Sequence, residues 1–84
     1  MYELLYSDTA KKQLDKLENH VQERILTALE RTRINPFLYF FKLTGREFSR
    51  MRIGDYRIVA DITKQKLEIL IIKVGKRENV YDSI

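Results

Sequence analysis

The chain has 84 residues, the length of one small domain, and at that size only a compact, well-packed core buries enough surface to fold. With 44% hydrophobic residues, 33% charged residues and no cysteine, the composition excludes a disordered chain, a disulfide framework and a thiolate metal site, and it fits a reducing compartment. The net charge of +4 resides in the second half: residues 1–41 carry six basic and six acidic side chains, residues 42–84 ten and six, a bias that suits an anionic partner such as nucleic acid or, more plainly, solubility.

In chain order, the opening MYELLYSDTAKK has no basic segment followed by an apolar one, so no signal peptide is expected. The longest apolar runs, ILII and FLYFF, are too short to span a bilayer, which predicts no membrane partner and a cytoplasmic location. YELLYS (2–7) reads as a first strand. Ser7 or Asp8 then caps a helix whose apolar stripe runs through Ala10, Leu14 and Leu17. A second helix starts at Asn19, where Asn19 and Gln22 have capping-box spacing, and buries Val21, Ile25, Leu26 and Leu29. Arg31 and Arg33 suit its negative C-terminal end, Pro36 stops it, and Asn35 is pushed toward extended backbone. PFLYFFKLTGRE (36–47) is aromatic and irregular, with most of its rings expected to cover the core.

Three strands follow. EFSRMRI (47–53) and YRIVADI (56–62) alternate and flank Gly54-Asp55; KLEILIIKV (66–74) is almost continuously apolar, as in a strand buried on both faces. The residues TKQ (63–65) join the last two, and KRENVYDSI closes the chain as a polar tail. The order β-α-α-β-β-β predicts an α+β domain over 1–84: an antiparallel sheet of about four strands with an N-terminal helical hairpin on one face.

A two-residue loop at Gly54-Asp55 sets the register of a hairpin. Ile53 then faces Tyr56, Arg52 faces Arg57, Met51 faces Ile58 and Arg50 faces Val59. Met51, Ile53, Tyr56 and Ile58 share one face, and Arg50, Arg52 and Arg57 the other. Directly opposed side chains have Cβ atoms about 5 Å apart, so the Arg52–Arg57 pair is repulsive by ~1 kcal/mol in water. Two readings stand side by side: a bound polyanion relieves the repulsion, or the arginines splay into solvent. Lys76 and Arg77 add cations past the last strand. Tyr81, four residues beyond Arg77, offers a hydroxyl for proton transfer and a ring for stacking, or simply packs the tail. His20, the only histidine, is expected on the surface, and the scattered acids suggest neither a metal site nor a cofactor.

G-D-Y-R (54–57) followed by V-G-K-R-E-x-x-Y (74–81), with L-T-G at 43–45, resembles the RelE-type toxins of the RelE/ParE toxin–antitoxin superfamily over essentially the whole chain. The resemblance implies a ribosome-dependent mRNA endoribonuclease neutralised by a cognate antitoxin. It carries the family's catalytic positions onto Arg52, Arg57, Arg77 and Tyr81, and RNA contacts onto Arg50 and Lys76. Well-characterised members have lysine where this chain has Arg50 and Arg52. Arginine stays protonated, with a pKa above ~12, so these two positions suit phosphate holding rather than proton transfer. Two alternatives belong to other classes: a ParE-like inhibitor of DNA gyrase, and an RNA-binding module without catalysis.

Overall fold

The computed structural model describes residues 1–45 and 47–76. In chain order the elements are β1 (Glu3–Tyr6), α1 (Asp8–Asp15), α2 (Asn19–Arg31), a 3-10 turn (Pro36–Leu38), β2 (Phe41–Lys42), β3 (Ser49–Ile53), β4 (Tyr56–Thr63) and β5 (Glu68–Lys76). The strands form one sheet in the order β1-β5-β4-β3-β2. The α+β plan is as expected, with two differences from an antiparallel four-stranded sheet. A short strand, β2, pairs with β3 at one edge. At the other edge β1 runs parallel to β5, with Leu4 across from Ile69 and Tyr6 across from Ile71. The sheet is therefore mixed, because β1 joins the last strand and is separated from it by a connection long enough to permit parallel pairing.

Helix α1 begins where Ser7, in extended backbone, accepts a hydrogen bond on Oγ from the Ala10 amide at 3.0 Å. An isolated helix of eight residues is not stable in water, so tertiary contact must hold this one. Its buried residues are Ala10 and Leu14. Helix α2 contributes Ile25 and Leu29, both fully buried, with Val21 and Leu26 at the margin. The expected capping box at its start is absent: Glu18 is the N-cap, with no side-chain cap, and Asn19 is already helical. Gln22 instead donates from Nε2 to the Leu14 carbonyl at 3.0 Å, a bond that ties α2 to the end of α1. After α2, Asn35 is extended as Pro36 requires, and its Oδ1 accepts from the Phe37 amide.

The core lies between the helical hairpin and one face of the sheet. Ile25 and Leu29 join a cluster with Met51, Ile53, Ile58, Ala60, Ile69, Ile71 and Val74. Each fully buried aliphatic side chain of this kind stabilises the fold by about 1.5–3 kcal/mol, which outweighs the weak local preferences of the short helices. Strand β5 departs from simple alternation. Val59 pairs with Lys73 but Ala60 pairs with Ile71, leaving Ile72 as an extra residue in a bulge. Ile71 and Val74 therefore both reach the core, while Leu70 and Ile72 remain only partly buried. The continuous apolar run reflects this bulge, not a strand closed on both faces. Helix α1 fastens the bulge: Ser7 Oγ donates to the Ile72 carbonyl at 2.7 Å, and Gln13 Oε1 accepts from the Val74 amide at 2.7 Å.

The aromatic segment also differs from expectation. Only Phe40 of the FLYFF run is buried; Phe37, Leu38, Tyr39 and Phe41 are exposed. Phe37 instead stands edge-on to Tyr2, with Lys64 Nζ 6.0 Å from its ring centroid. No helix among the described residues is long and apolar enough to cross a membrane.

Candidate functional site

The β3–β4 hairpin has the register derived from its turn: Ile53–Tyr56, Arg52–Arg57, Met51–Ile58 and Arg50–Val59. Gly54 has φ +58 and Asp55 has no positive φ, the pattern of a II′ turn, which places glycine first. The positive φ is what calls for glycine, since a side chain there would be strained. A Cβ would also lie 3.0 Å from Arg24 Nη1 of α2, but that arginine tip belongs to a flexible side chain that can give way.

Pairing across the sheet assembles the face opposite the helices. One row runs Phe41, Arg50, Val59, Lys73; the next runs Arg52, Arg57, Gly75. Val59 is fully buried yet lies outside the core cluster, as its place on this face requires. Farther along β4 the same face carries Asp61 and then Thr63, with Glu68 and Glu3 across from it. The face is thus cationic at the hairpin end and acidic at the other.

Arg50 and Arg52 are exposed, whereas Arg57 retains only 7% of its accessible surface. Among the described residues the Arg57 guanidinium has no hydrogen-bond or ion-pair partner. A buried charge is destabilising by several kcal/mol unless an opposite charge or water compensates it. Gly75, directly across on β5, supplies no side chain at that point. The result is a buried guanidinium beside an exposed one, with a residue lacking a side chain on its far side. This arrangement suits an anionic group that accepts several N–H donors at once.

Of the residues singled out from the sequence, Arg50, Arg52 and Arg57 share this face. Lys76 does not: it pairs with Tyr56, which alternates onto the helix-facing side, and it is exposed at the strand end. Arg77 and Tyr81 lie outside the described residues. His20 is on the surface, with Nδ1 3.4 Å from Glu18. Phe41, Lys73 and Gly75 also belong to this face, which sequence reasoning does not reach. Their placement depends on the edge pairing of β2 and on the bulge in β5, neither of which has a local signal. A separate concavity on the helix side has His20, Glu23, Arg24, Thr27, Arg31 and Ile53 in its lining. Among the described residues no group of three or more His, Asp or Glu side chains is arranged to hold a metal ion.

This fold is that of the RelE-type toxins. The intact Escherichia coli RelBE toxin–antitoxin complex matches with a TM-score of 0.79 at 26% identity, covering 94% of this chain and 100% of that one. The isolated E. coli RelE toxin matches at 0.78 and 26%, covering 96% and 89%. The RelBE2 toxin–antitoxin complex of Mycobacterium tuberculosis shares the fold at 0.79 and 20%, covering 90% and 98%. In sequence, an E. coli protein described as a RelE-like toxin is 28% identical over 86 residues, spanning 96% of this chain and 90% of that protein. A family model described as "ParE toxin of type II toxin-antitoxin system, parDE" matches residues 4–81. The chain belongs to this family of type II toxins, and within it its likeness is to the RelE type.

Proposed function

We propose that the chain, acting as one toxin domain in the cytoplasm, is a ribosome-dependent endoribonuclease that cuts mRNA and is held inactive by a cognate antitoxin. The observation that carries this reading is the Arg52–Arg57 pair, one guanidinium exposed and the other buried without a partner among the described residues. The E. coli RelBE structure, a toxin–antitoxin complex, supports the antitoxin as partner.

The attacking group belongs to the substrate. The 2′-oxygen of one nucleotide bonds to the adjacent phosphorus, the bond to the 5′-oxygen breaks, and the departing oxygen takes up a proton. The protein must orient the RNA, assist proton removal and stabilise the crowded phosphate. Arg52 and Arg57 hold the non-bridging oxygens, and Arg50 grips neighbouring backbone. Tyr81 orients or deprotonates the 2′-hydroxyl. Arg77 offsets charge on the leaving oxygen, and Lys76, at the strand end, takes a more distant phosphate.

Arg57→Ala and Tyr81→Phe should each reduce cleavage on purified programmed ribosomes by about 100-fold, the usual effect of removing one group that contacts the developing charge. Undiminished cleavage in both variants refutes the assignment. A second reading, inhibition of DNA gyrase, is favoured by the ParE description of the matching family. Loss of gyrase supercoiling with purified toxin, and no cleavage on ribosomes, would select it.

A further inference from the structure

The geometry points to Phe41 as a stacking shelf for a nucleobase flanking the cleaved phosphate, with Arg50 holding that nucleotide's backbone. This rests on the RNA-cleaving reading for its substrate and names a contact that the cluster of arginines and tyrosine does not contain. Phe40 and Phe41 are adjacent, yet Phe40 is 3% exposed and Phe41 60%. Phe40 precedes β2 and its ring enters the core, whereas Phe41 begins the strand and shares the face of its partner Arg50. Phe41 lies directly across from Arg50, so their Cβ atoms are about 5 Å apart. The Arg52–Arg57 row begins one strand repeat away, about 7 Å. That spacing lets Arg50 meet the nucleotide next to the one held by Arg52 and Arg57.

An exposed phenyl ring beside a guanidinium matches a nucleotide in both of its parts. The ring offers an apolar face to a base, and the guanidinium meets the phosphate or stacks in turn. An apolar protein anchor seated on Phe41 would instead strip water from Arg50 without supplying a counter-charge. The cationic end of the face therefore favours RNA as the occupant. Phenylalanine has no hydrogen-bonding group, so the shelf selects for stacking strength and not for base edges.

The test compares wild type, Phe41→Ala, Phe41→Leu and Phe41→Trp in binding a short single-stranded RNA with a 2′-deoxy cleavage site, against the same oligonucleotide with an abasic flanking position. The wild type should bind the intact oligonucleotide about tenfold more tightly than the abasic one, in line with stacking worth about 1–3 kcal/mol per base. Phe41→Ala and Phe41→Leu should abolish that difference, and Phe41→Trp should keep it. The chain has no tryptophan of its own, so the introduced indole should be quenched by the intact oligonucleotide and not by the abasic one. On programmed ribosomes Phe41→Ala should raise KM more than it lowers kcat.

Equal discrimination by wild type and Phe41→Ala overturns the shelf even if cleavage is robust, and so does the absence of binding to either oligonucleotide at low salt. Unchanged oligonucleotide binding, together with failure of the co-expressed antitoxin to co-purify, would make Phe41 a protein anchor and also overturn it. Failure of the wild type to cleave on ribosomes removes the ribonuclease reading, and the shelf is still read from the oligonucleotide pair.

Discussion

Arg57 shows how one side chain acquires meaning from its neighbours. In the sequence it is the third arginine near a tight turn. In the fold it is buried opposite an exposed arginine on one strand and a glycine on the other. Its position on the face was legible because a two-residue turn and strict alternation fix both partner and side. Its burial was not, since that depends on the strands to either side. Tyr6 is a half-buried polar group. Burial raises its phenol above the ordinary 10.0, and the Glu30 carboxylate adds to the rise. The folded chain therefore holds this proton more tightly than the unfolded chain. The associated stability is complete below about pH 10 and is lost as pH climbs through the folded value. Tyr6→Phe should flatten the alkaline fall in stability, measured by urea unfolding at about pH 9 and pH 11. An unchanged slope would assign the fall to other groups.

At the scale of elements, the junction of β1, α1 and β5 depends on Ser7. Its hydroxyl accepts from the Ala10 amide as an N-cap and donates to the bulged Ile72 carbonyl. The cap was readable from a serine preceding an amphipathic stretch; the second bond joins residues 65 apart in sequence and was not. Ser7→Ala removes both, and should destabilise the chain by about 1.5–3 kcal/mol in chemical denaturation, against about 1 kcal/mol for a cap alone. Ser7→Thr should recover most of that stability. The bulge matters beyond stability, because it sets the phase of β5 and so brings Gly75 opposite Arg57. The same contrast applies at α2. Its apolar stripe was evident from 3.6-residue spacing, but Gln22 serves the end of α1 rather than its own N-terminus, since that carbonyl lies within reach only when the hairpin closes.

For the whole molecule, the excess positive charge is not spread evenly. The face opposite the helices is cationic at the β3–β4 turn and acidic where Glu3 and Glu68 meet. Such a gradient orients a polyanion along the sheet before close contact. RNA affinity should fall linearly on a log–log plot against salt. Replacing both Arg50 and Arg52 by alanine should make the slope shallower by ~1.4, about 0.7 for each single-strand phosphate no longer neutralised. A slope that does not change would place the RNA elsewhere, with the helix-side concavity at Arg24 and Arg31 the next surface to test.

By itself the sequence determined the α+β class, the two helices and their buried stripes, the two-residue turn and the side on which each hairpin arginine lies. These features follow from contacts within a few residues, where period and turn chemistry leave few alternatives. Tertiary structure alone decided the parallel pairing of β1 with β5, the exposure of most of the aromatic run, the bulge at Ile72, and the meeting of Phe41, Arg50, Arg57 and Gly75 on one face. Each of those depends on which distant strand becomes a neighbour, and that choice is made by the burial of the whole core.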